Sequence, residues 1–190
     1  MANLKEVKGR IQSVTSTQQI TKAMKMVAAA KLRKAQDRII QMRPYAEKLS
    51  GVMQNVSRAI DNQALDNPYG QDRDVNAVLL VVISSDRGLC GAFNSNIFKF
   101  TQNLITDKYH SIEASGNLHI LPIGKRAYEY YKKKGYSIIG KYYDLFNSLD
   151  FDHVRAAAEY TMKSFISQEF DKIEIIYNEF KNVATQIIRN

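Results

Sequence analysis

The apolar residues of the first sixty positions recur at alternating steps of three and four, the spacing of a heptad stripe on one face of a helix. The stripe consists of Leu4, Val7, Ile11, Val14, Ala28, Leu32, Ala35, Ile39, Met42, Ala46, Leu49, Met53, Val56 and Ile60. Between Val14 and Ala28 the register continues, but Gln18, Thr21 and Lys25 fill its positions. The pattern predicts one coiled-coil helix over residues 1–60, with a stripe that is apolar at both ends and polar in the middle.

Such a helix would be about 85 Å long at 1.5 Å per residue, and it cannot bury its own apolar stripe. An amphipathic helix in water draws most of its stability from packing, so we expect a long partner. Pro44 is the only helix breaker within the stretch. Because the stripe keeps its phase across Pro44, we expect a kink near Arg43 rather than an end.

A polar segment and then a buried strand follow the helix. Residues 61–74 are polar, contain Pro68 and Gly70, and are predicted to be a linker. Residues 75–84 form a nearly continuous apolar run that is too short for a buried helix. This run predicts a strand buried on both faces.

Strands and helices then alternate through residues 75–190. The other predicted strands are residues 118–123, 136–142, 172–180 and 183–188. The predicted helices run from about residue 94 to 108, from Gly124 to a left-handed cap at Gly135, and from a cap at Asp150 or Asp152. This alternation predicts an α/β fold, a Rossmann-like, mostly parallel sheet with helices on its faces and a final antiparallel hairpin.

Local signals within two of these helices suggest how they begin and pack. Asn94 or Ser95 is the expected cap of the first helix. The expected buried residues are Ile97, Phe98, Thr101, Leu104 and Ile105 in the first helix, and Val154, Ala158, Thr161 and Phe165 in the last.

The charge of the chain is concentrated in its first sixty residues. They carry seven lysines and five arginines against three acidic residues, a net charge of +9, whereas the whole chain is +8. No acidic residue falls between Glu6 and Asp37. An acid-free basic run of this length favours an acidic protein surface or a polyanion as partner, so nucleic-acid binding is an alternative function.

Composition excludes several other classes of protein. The longest apolar run, residues 77–83, is far shorter than a membrane-spanning helix. One cysteine permits no internal disulfide, and three scattered histidines predict no metal site. Organellar transit peptides are rich in arginine, whereas the basic start of this chain is not, so we expect these residues to belong to the mature protein. This expectation favours a protein of the bacterial cytoplasm.

The turn at residues 85–91 follows the first strand, where open α/β sheets commonly bind ligands. Its glycines, Gly88 and Gly91, lack the spacing that cradles a pyrophosphate, so we expect a structural turn and no cofactor. Cys90 has no base near it in sequence, and we expect it to be small, apolar and buried. The predicted helix between Gly124 and Gly135 carries Tyr128, Tyr130 and Tyr131 among lysines, which indicates core packing with a solvated basic rim. Nothing predicts catalysis, although an enzyme using the α/β domain is a third alternative.

Two motifs carry a family resemblance. Residues 17–35 read TQQITKAMKMVAAAKLRKA, and residues 85–91 read SDRGLCG with Asn94 shortly after. Both resemble signatures of the γ subunit of F-type ATP synthase, and weaker matches occur at residues 43–46 and 177–186. Ala92 and Phe93 depart from the Gly-Leu that is common in the family, which is a minor difference.

The resemblance implies a non-catalytic rotor in the central stalk. Such a subunit transmits rotation between the membrane c-ring and the α3β3 catalytic head, and so couples proton flow to ATP synthesis. Its implied partners are the α, β and ε subunits and the c-ring, with no nucleic acid and no small-molecule substrate. Its implied location is peripheral, at the cytoplasmic face of the bacterial inner membrane.

The resemblance also selects candidate contact residues. The expected contacts with the ring are Gln18, Thr21, Lys22, Met24, Lys25 and Arg33, and the motif turn supplies Asp86, Arg87, Gly88 and Gly91. Family members carry a long C-terminal helix that pairs with the N-terminal one, so we interpret the chain as a fragment. The regulatory cysteine pair of plastid members is absent, and no thiol switch is expected.

Overall fold

The computed structural model describes residues 3–63, 68–70, 73–147, 149–182 and 185–190, with the side chains of the first range described through residue 59. Its contacts divide the chain into two compact units, Met1–Asp66 and Asn67–Asn190.

The first unit is the helix α1, Leu4–Gln63, which contains Pro44 in its interior. The predicted long helix is confirmed, and it extends three residues into the segment that was expected to be linker. Its apolar stripe is exposed: Leu49 is 46% and Met53 62% accessible to solvent. Residues 64–67, 71 and 72 of the expected linker lie outside the described residues, and a kink at Pro44 stays a prediction.

The second unit is an α/β domain with a five-stranded sheet in the order β3-β2-β1-β4-β5. Its strands are β1 Val78–Ile83, β2 Leu118–Ile123, β3 Ser137–Ile138, β4 Lys172–Phe180 and β5 Gln186–Arg189. Its helices are α2 Phe93–Lys108, α3 His110–Ala114, α4 Lys125–Lys133 and α5 Phe151–Ile166, with a 3₁₀ turn at Leu145–Asn147. All neighbouring strands are parallel except β4 and β5, which pair antiparallel. The predicted fold class is therefore confirmed.

The central strand β1 is buried on both faces, as its apolar run predicts. Val78, Leu80 and Val82 pack on one face against residues of α2 and α4. Leu79 and Val81 pack on the other face with Phe170, and Tyr160 of α5 packs against the same cluster. β1 also lies between β2 and β4, so its backbone is paired along both edges.

Several local predictions are confirmed. β2 has the predicted bounds, and Gly135, just after α4, has a φ of +81°. Asp150 is the N-cap of α5, and its carboxylate accepts a hydrogen bond from the backbone N–H of His153 at 3.0 Å.

Other local predictions are wrong. The N-cap of α2 is Ala92, without a side-chain hydrogen bond, rather than Asn94 or Ser95. In α5 the buried residues are Ala157 and Ser164, whereas Val154 is 43% exposed. Ser164 tolerates burial because its hydroxyl donates to the carbonyl of Tyr160 at 2.8 Å.

The sheet edges also differ from the sequence prediction. The expected strand at residues 136–142 is reduced to Ser137–Ile138, and Gly140 follows with a φ of +73°. β5 begins at Gln186, and residues 183 and 184 of the expected strand lie outside the described residues. Among the described residues, no helix combines the length and apolar composition needed to cross a lipid bilayer.

Candidate functional site

The turn between β1 and α2 lies where the strand order reverses. From β1 the chain continues through β2 to β3 on one side and then returns to place β4 on the other side. The carboxyl end of β1 therefore opens at the point where an open α/β sheet offers a site to a partner or ligand. The motif residues Asp86, Arg87, Gly88 and Gly91 all lie in this turn.

Hydrogen bonds between Ser85 and Asn94 hold the two ends of the turn together. The backbone N–H of Ser85 donates to Asn94 Oδ1 at 3.1 Å, and Asn94 Nδ2 donates to Ser85 Oγ at 2.8 Å. Ser85 Oγ in turn donates to the carbonyl oxygen of Arg87 at 2.6 Å. Asn94 does not cap its own helix because its amide is used to close this turn.

Asp86 joins the turn to a second helix. Its Oδ1 accepts a hydrogen bond from the backbone N–H of Lys125 at 3.1 Å, at the start of α4. The carboxylate thereby satisfies a free N–H at the positive end of a helix that is distant in sequence. Ser84 acts in the same way, because its Oγ accepts from the N–H of Ala127 at 2.8 Å.

The glycines of the turn have different physical roles. A Cβ at Gly88 would lie 3.2 Å from the guanidinium of Arg126, so a side chain at this position would require the guanidinium to shift. Gly91 has a φ of +60° and open space around it, so its requirement is conformational rather than steric.

The tip of the turn presents side chains outward. Arg87 is exposed, and Leu89 is fully exposed at a φ of +59°. Cys90 is also exposed, which corrects the expectation that it is buried. Its Sγ lies 3.3 Å from Asn94 Nδ2. The arrangement is suited to contact with another macromolecule, since a rigid base holds one cationic and one apolar side chain in solvent.

The second candidate region is the acid-free middle of α1. Its six predicted contact residues are all exposed: Gln18, Thr21, Lys22, Met24, Lys25 and Arg33. The hydroxyl of Thr21 donates to the carbonyl of Gln18 at 3.0 Å, so it already has a partner on its own helix. Within the described residues, Lys22, Lys25 and Arg33 form no ion pair, whereas Arg10 pairs with Glu6 at 2.7 Å.

One ionic cluster has no signal in the sequence. Glu174 on β4 pairs with Lys108 at the end of α2, with 2.6 Å between Oε1 and Nζ, and it also accepts a hydrogen bond from the Tyr109 hydroxyl. Burial alone would raise the pKa of Glu174, but the hydrogen bonds from Lys108 and Tyr109 outweigh it and the pKa is lowered. Burial and the bond to Glu174 raise the pKa of Tyr109 to about 12. The cluster links α2 to the sheet, and no group of residues suited to a metal ion occurs in the described part of the chain.

Comparison with known proteins gives a consistent result. The chain matches the family model described as ATP synthase over residues 3–190. It is 52% identical over 189 residues to the ATP synthase gamma chain of Cytophaga hutchinsonii, covering 100% of this chain and 64% of the relative. The gamma chains of Flavobacterium johnsoniae and Chlorobium phaeobacteroides are 49% and 47% identical, again with 100% and 64% coverage. The chain thus spans slightly less than two thirds of the length of these relatives.

Proposed function

The chain belongs to the family of ATP synthase gamma chains, and from this premise we propose that it acts as the central-stalk rotor of an F-type ATP synthase. In this role it transmits rotation between a membrane c-ring and an α3β3 catalytic head, and so couples proton flow to ATP synthesis. It supplies no catalytic residue of its own and binds no cofactor.

The observation that carries the proposal is the length and surface of α1. Sixty helical residues extend about 90 Å, enough to reach through a ring of globular subunits. The side chains of its middle section are exposed, and no acidic residue interrupts the run from Val7 to Gln36. A cationic surface of this kind suits repeated contact with acidic loops as the helix turns.

The contacts expected of a rotor are individually weak. Solvated ion pairs contribute about 0 to 1 kcal/mol each, so no single pair formed by Lys22, Lys25 or Arg33 would hold the rotor at one angle. The exposed side chains of Met24 and Ile20 add apolar contacts, which, unlike hydrogen bonds, do not depend on a particular orientation. This combination stabilises the complex without favouring one orientation strongly.

The motif turn is proposed to contact a neighbouring subunit. Arg87 and Leu89 project from a base that Ser85, Asp86 and Asn94 hold in place. The α and β subunits are the proposed partners of α1, and the ε subunit and c-ring those of the rest of the rotor. The relatives are bacterial, which supports a peripheral position at the cytoplasmic face of the inner membrane.

The test is association with a catalytic head. We expect the chain, co-expressed with α and β subunits of a close bacterial relative, to be recovered as one copy per α3β3 ring in native mass spectrometry. A variant carrying Lys22→Glu and Lys25→Glu should be recovered less often, and one carrying Lys99→Glu and Lys181→Glu should not differ from wild type. Salt-sensitive retention on DNA or RNA, without association with the ring, would instead support the nucleic-acid alternative and overturn the rotor assignment.

A further inference from the structure

A basic cleft lies between the end of α4 and the segment that follows β3. Its volume is about 360 Å³, and its lining includes Tyr128, Lys132, Gly135, Gly140, Lys141 and Tyr143. The volume falls within the range of about 300 to 1,000 Å³ that is usual for small-molecule sites. No role in the proposed rotor function requires this cleft.

A stacked pair of tyrosines holds a lysine at the cleft. The rings of Tyr128 and Tyr143 stack with centroids 4.2 Å apart. Lys132 Nζ lies over the Tyr128 ring, 5.2 Å from its centroid, and donates a hydrogen bond to the Tyr128 hydroxyl at 3.1 Å. This hydrogen bond raises the pKa of Lys132 and so favours its charged form.

The lysines around the cleft have no carboxylate partners. Within the described residues, the two lysines that line the cleft, Lys132 and Lys141, form no ion pair. Lys108 and Lys172, by contrast, both pair with Glu174. Two nearby carboxylates are engaged elsewhere. Glu129 pairs with Arg126 at 2.9 Å, and Glu113 accepts the Tyr136 hydroxyl at 2.6 Å. In the described part of the chain, no carboxylate therefore forms an ion pair with either lysine of the cleft.

Helix stability explains only part of this charge. Lys132 and Lys133 lie in the last turn of α4, where a cation offsets the negative end of the helix dipole. That end is equivalent to about half an elementary charge. Lys141 lies beyond the helix, so the helix dipole can account for Lys132 but not for Lys141.

We propose that this cleft binds a phosphate group, carried either by an anionic lipid headgroup or by a soluble phosphate compound. Ammonium groups and tyrosine hydroxyls donate hydrogen bonds, and phosphate oxygens accept them. Gly135 contributes no side chain, and a Cβ there would meet nothing within 4 Å, so the cleft has room beside its backbone. A nucleobase is a poorer fit, because Tyr143 and Lys132 already engage the ring of Tyr128.

The test compares two variants of equal charge. Lys132→Gln with Lys141→Gln removes the cationic lining of the cleft, and Lys99→Gln with Lys181→Gln removes two exposed lysines elsewhere in the same unit. Circular dichroism checks that both variants fold. The basic surface of α1 is unchanged in all three proteins, so its background binding of anions is common to them.

Two probes distinguish the sources of phosphate. Pyrophosphate binding is measured by calorimetry, and lipid binding by cosedimentation with phosphatidylcholine vesicles with and without phosphatidylglycerol. We expect the cleft variant to bind at least one of the two probes more weakly than the control variant does, by a factor on the order of ten. Loss confined to the vesicles identifies a lipid headgroup, and loss towards pyrophosphate identifies a soluble phosphate.

Substitution of Tyr128 by Phe should produce a smaller loss towards the same probe, since it removes the hydroxyl that holds Lys132 and keeps the ring. Equal binding by the cleft and control variants, or binding of neither probe by wild type, would overturn the proposal. Neither result bears on the rotor assignment, because ring association depends on α1.

Discussion

At the scale of single residues, the close approach of two strand ends is set by a glycine. Gly124 has a φ of +98°, and a Cβ there would lie 2.4 Å from the carbonyl oxygen of Ser84. The same residue, Ser84, accepts a hydrogen bond from the backbone N–H of Ala127 through its hydroxyl oxygen. A side chain at Gly124 would therefore separate the turn after β1 from the start of α4.

We predict that Gly124→Ala lowers the free energy of unfolding by about 2 kcal/mol or more, since it adds a steric clash to left-handed strain. Gly116→Ala is the matched control, because Gly116 has a φ of +79° but open space around it. Urea denaturation of both variants separates the two effects. Equal losses in the two would show that the contact with Ser84 is unimportant.

Tyr131 is buried with a hydroxyl that finds no hydrogen-bond partner among the described residues. The hydroxyl of the nearby Thr101 donates a hydrogen bond to the carbonyl of Ile97 at 2.9 Å. Because an unpaired buried hydroxyl loses its bonds to water without replacement, we predict that Tyr131→Phe leaves stability unchanged or raises it by about 1 kcal/mol. Tyr109→Phe should lower stability, since the Tyr109 hydroxyl bonds to Glu174. Thermal unfolding checks both, and a clear loss for Tyr131→Phe would contradict the prediction.

At the scale of elements, α2 is tied to the sheet by the Lys108–Glu174 pair. The pKa of Glu174 is lowered in the folded state from an ordinary value of 4.5. Its contribution to stability is therefore complete above pH 4.5 and is lost as the pH falls through the lower folded-state pKa.

We predict that wild type loses stability relative to Glu174→Gln as the pH is lowered from about 5 to 3, because only wild type loses an ionised Glu174. The measurement is urea denaturation across this range, with the two stability curves converging at the acid end. Parallel curves would mean that Glu174 has no altered pKa in the folded protein.

The helix α1 exposes an apolar stripe along its length. Leu49, Met53 and Val56 are all about half exposed or more, and such stripes rarely stay solvated. We predict that the chain self-associates in a concentration-dependent manner in sedimentation. Leu49→Glu with Met53→Glu should reduce the association, while Gln54→Glu with Lys48→Glu, which alters exposed polar positions, should not. A strict monomer at all concentrations would contradict this prediction.

At the scale of the whole molecule, the proposed rotor role depends on many weak contacts. We predict that Lys22→Ala or Lys25→Ala alone, in a full-length gamma chain, reduces coupling only mildly, because each solvated contact contributes about 0 to 1 kcal/mol. Reversal of both to Glu should impair ATP synthesis more than ATP hydrolysis, since repulsion disturbs torque transfer while the catalytic sites remain intact. Proton-driven synthesis and hydrolysis by the reconstituted enzyme provide the measurement.

Reversal of the exposed Lys99 and Lys181 is the control for that experiment, and it should leave both activities unchanged. Unaltered synthesis in the Lys22 and Lys25 double variant would remove these lysines from the mechanism. Equal loss of both activities would indicate failed assembly instead.

The sequence by itself determined the features that depend on neighbours along the chain. The heptad spacing predicts α1, because residues three and four apart share a helix face. The apolar run of β1, the left-handed Gly135 and the Asp150 cap follow from equally local rules. The two signature motifs also mark the turn at residues 85–91 and the basic middle of α1 as candidate contact regions, and this stays a prediction.

Only the tertiary structure decided what depends on residues distant in sequence. Asn94 has the chemistry of a helix cap, yet its amide closes the turn at Ser85, and Asp86 satisfies a free N–H of α4. The predicted buried face of α5 was wrong in part because Ser164 is buried, with its hydroxyl donating a hydrogen bond to the carbonyl of Tyr160. The partnership of Lys108 with Glu174 had no sequence signal at all. In each case a polar side chain had several possible partners, and the path of the backbone through space selected one of them.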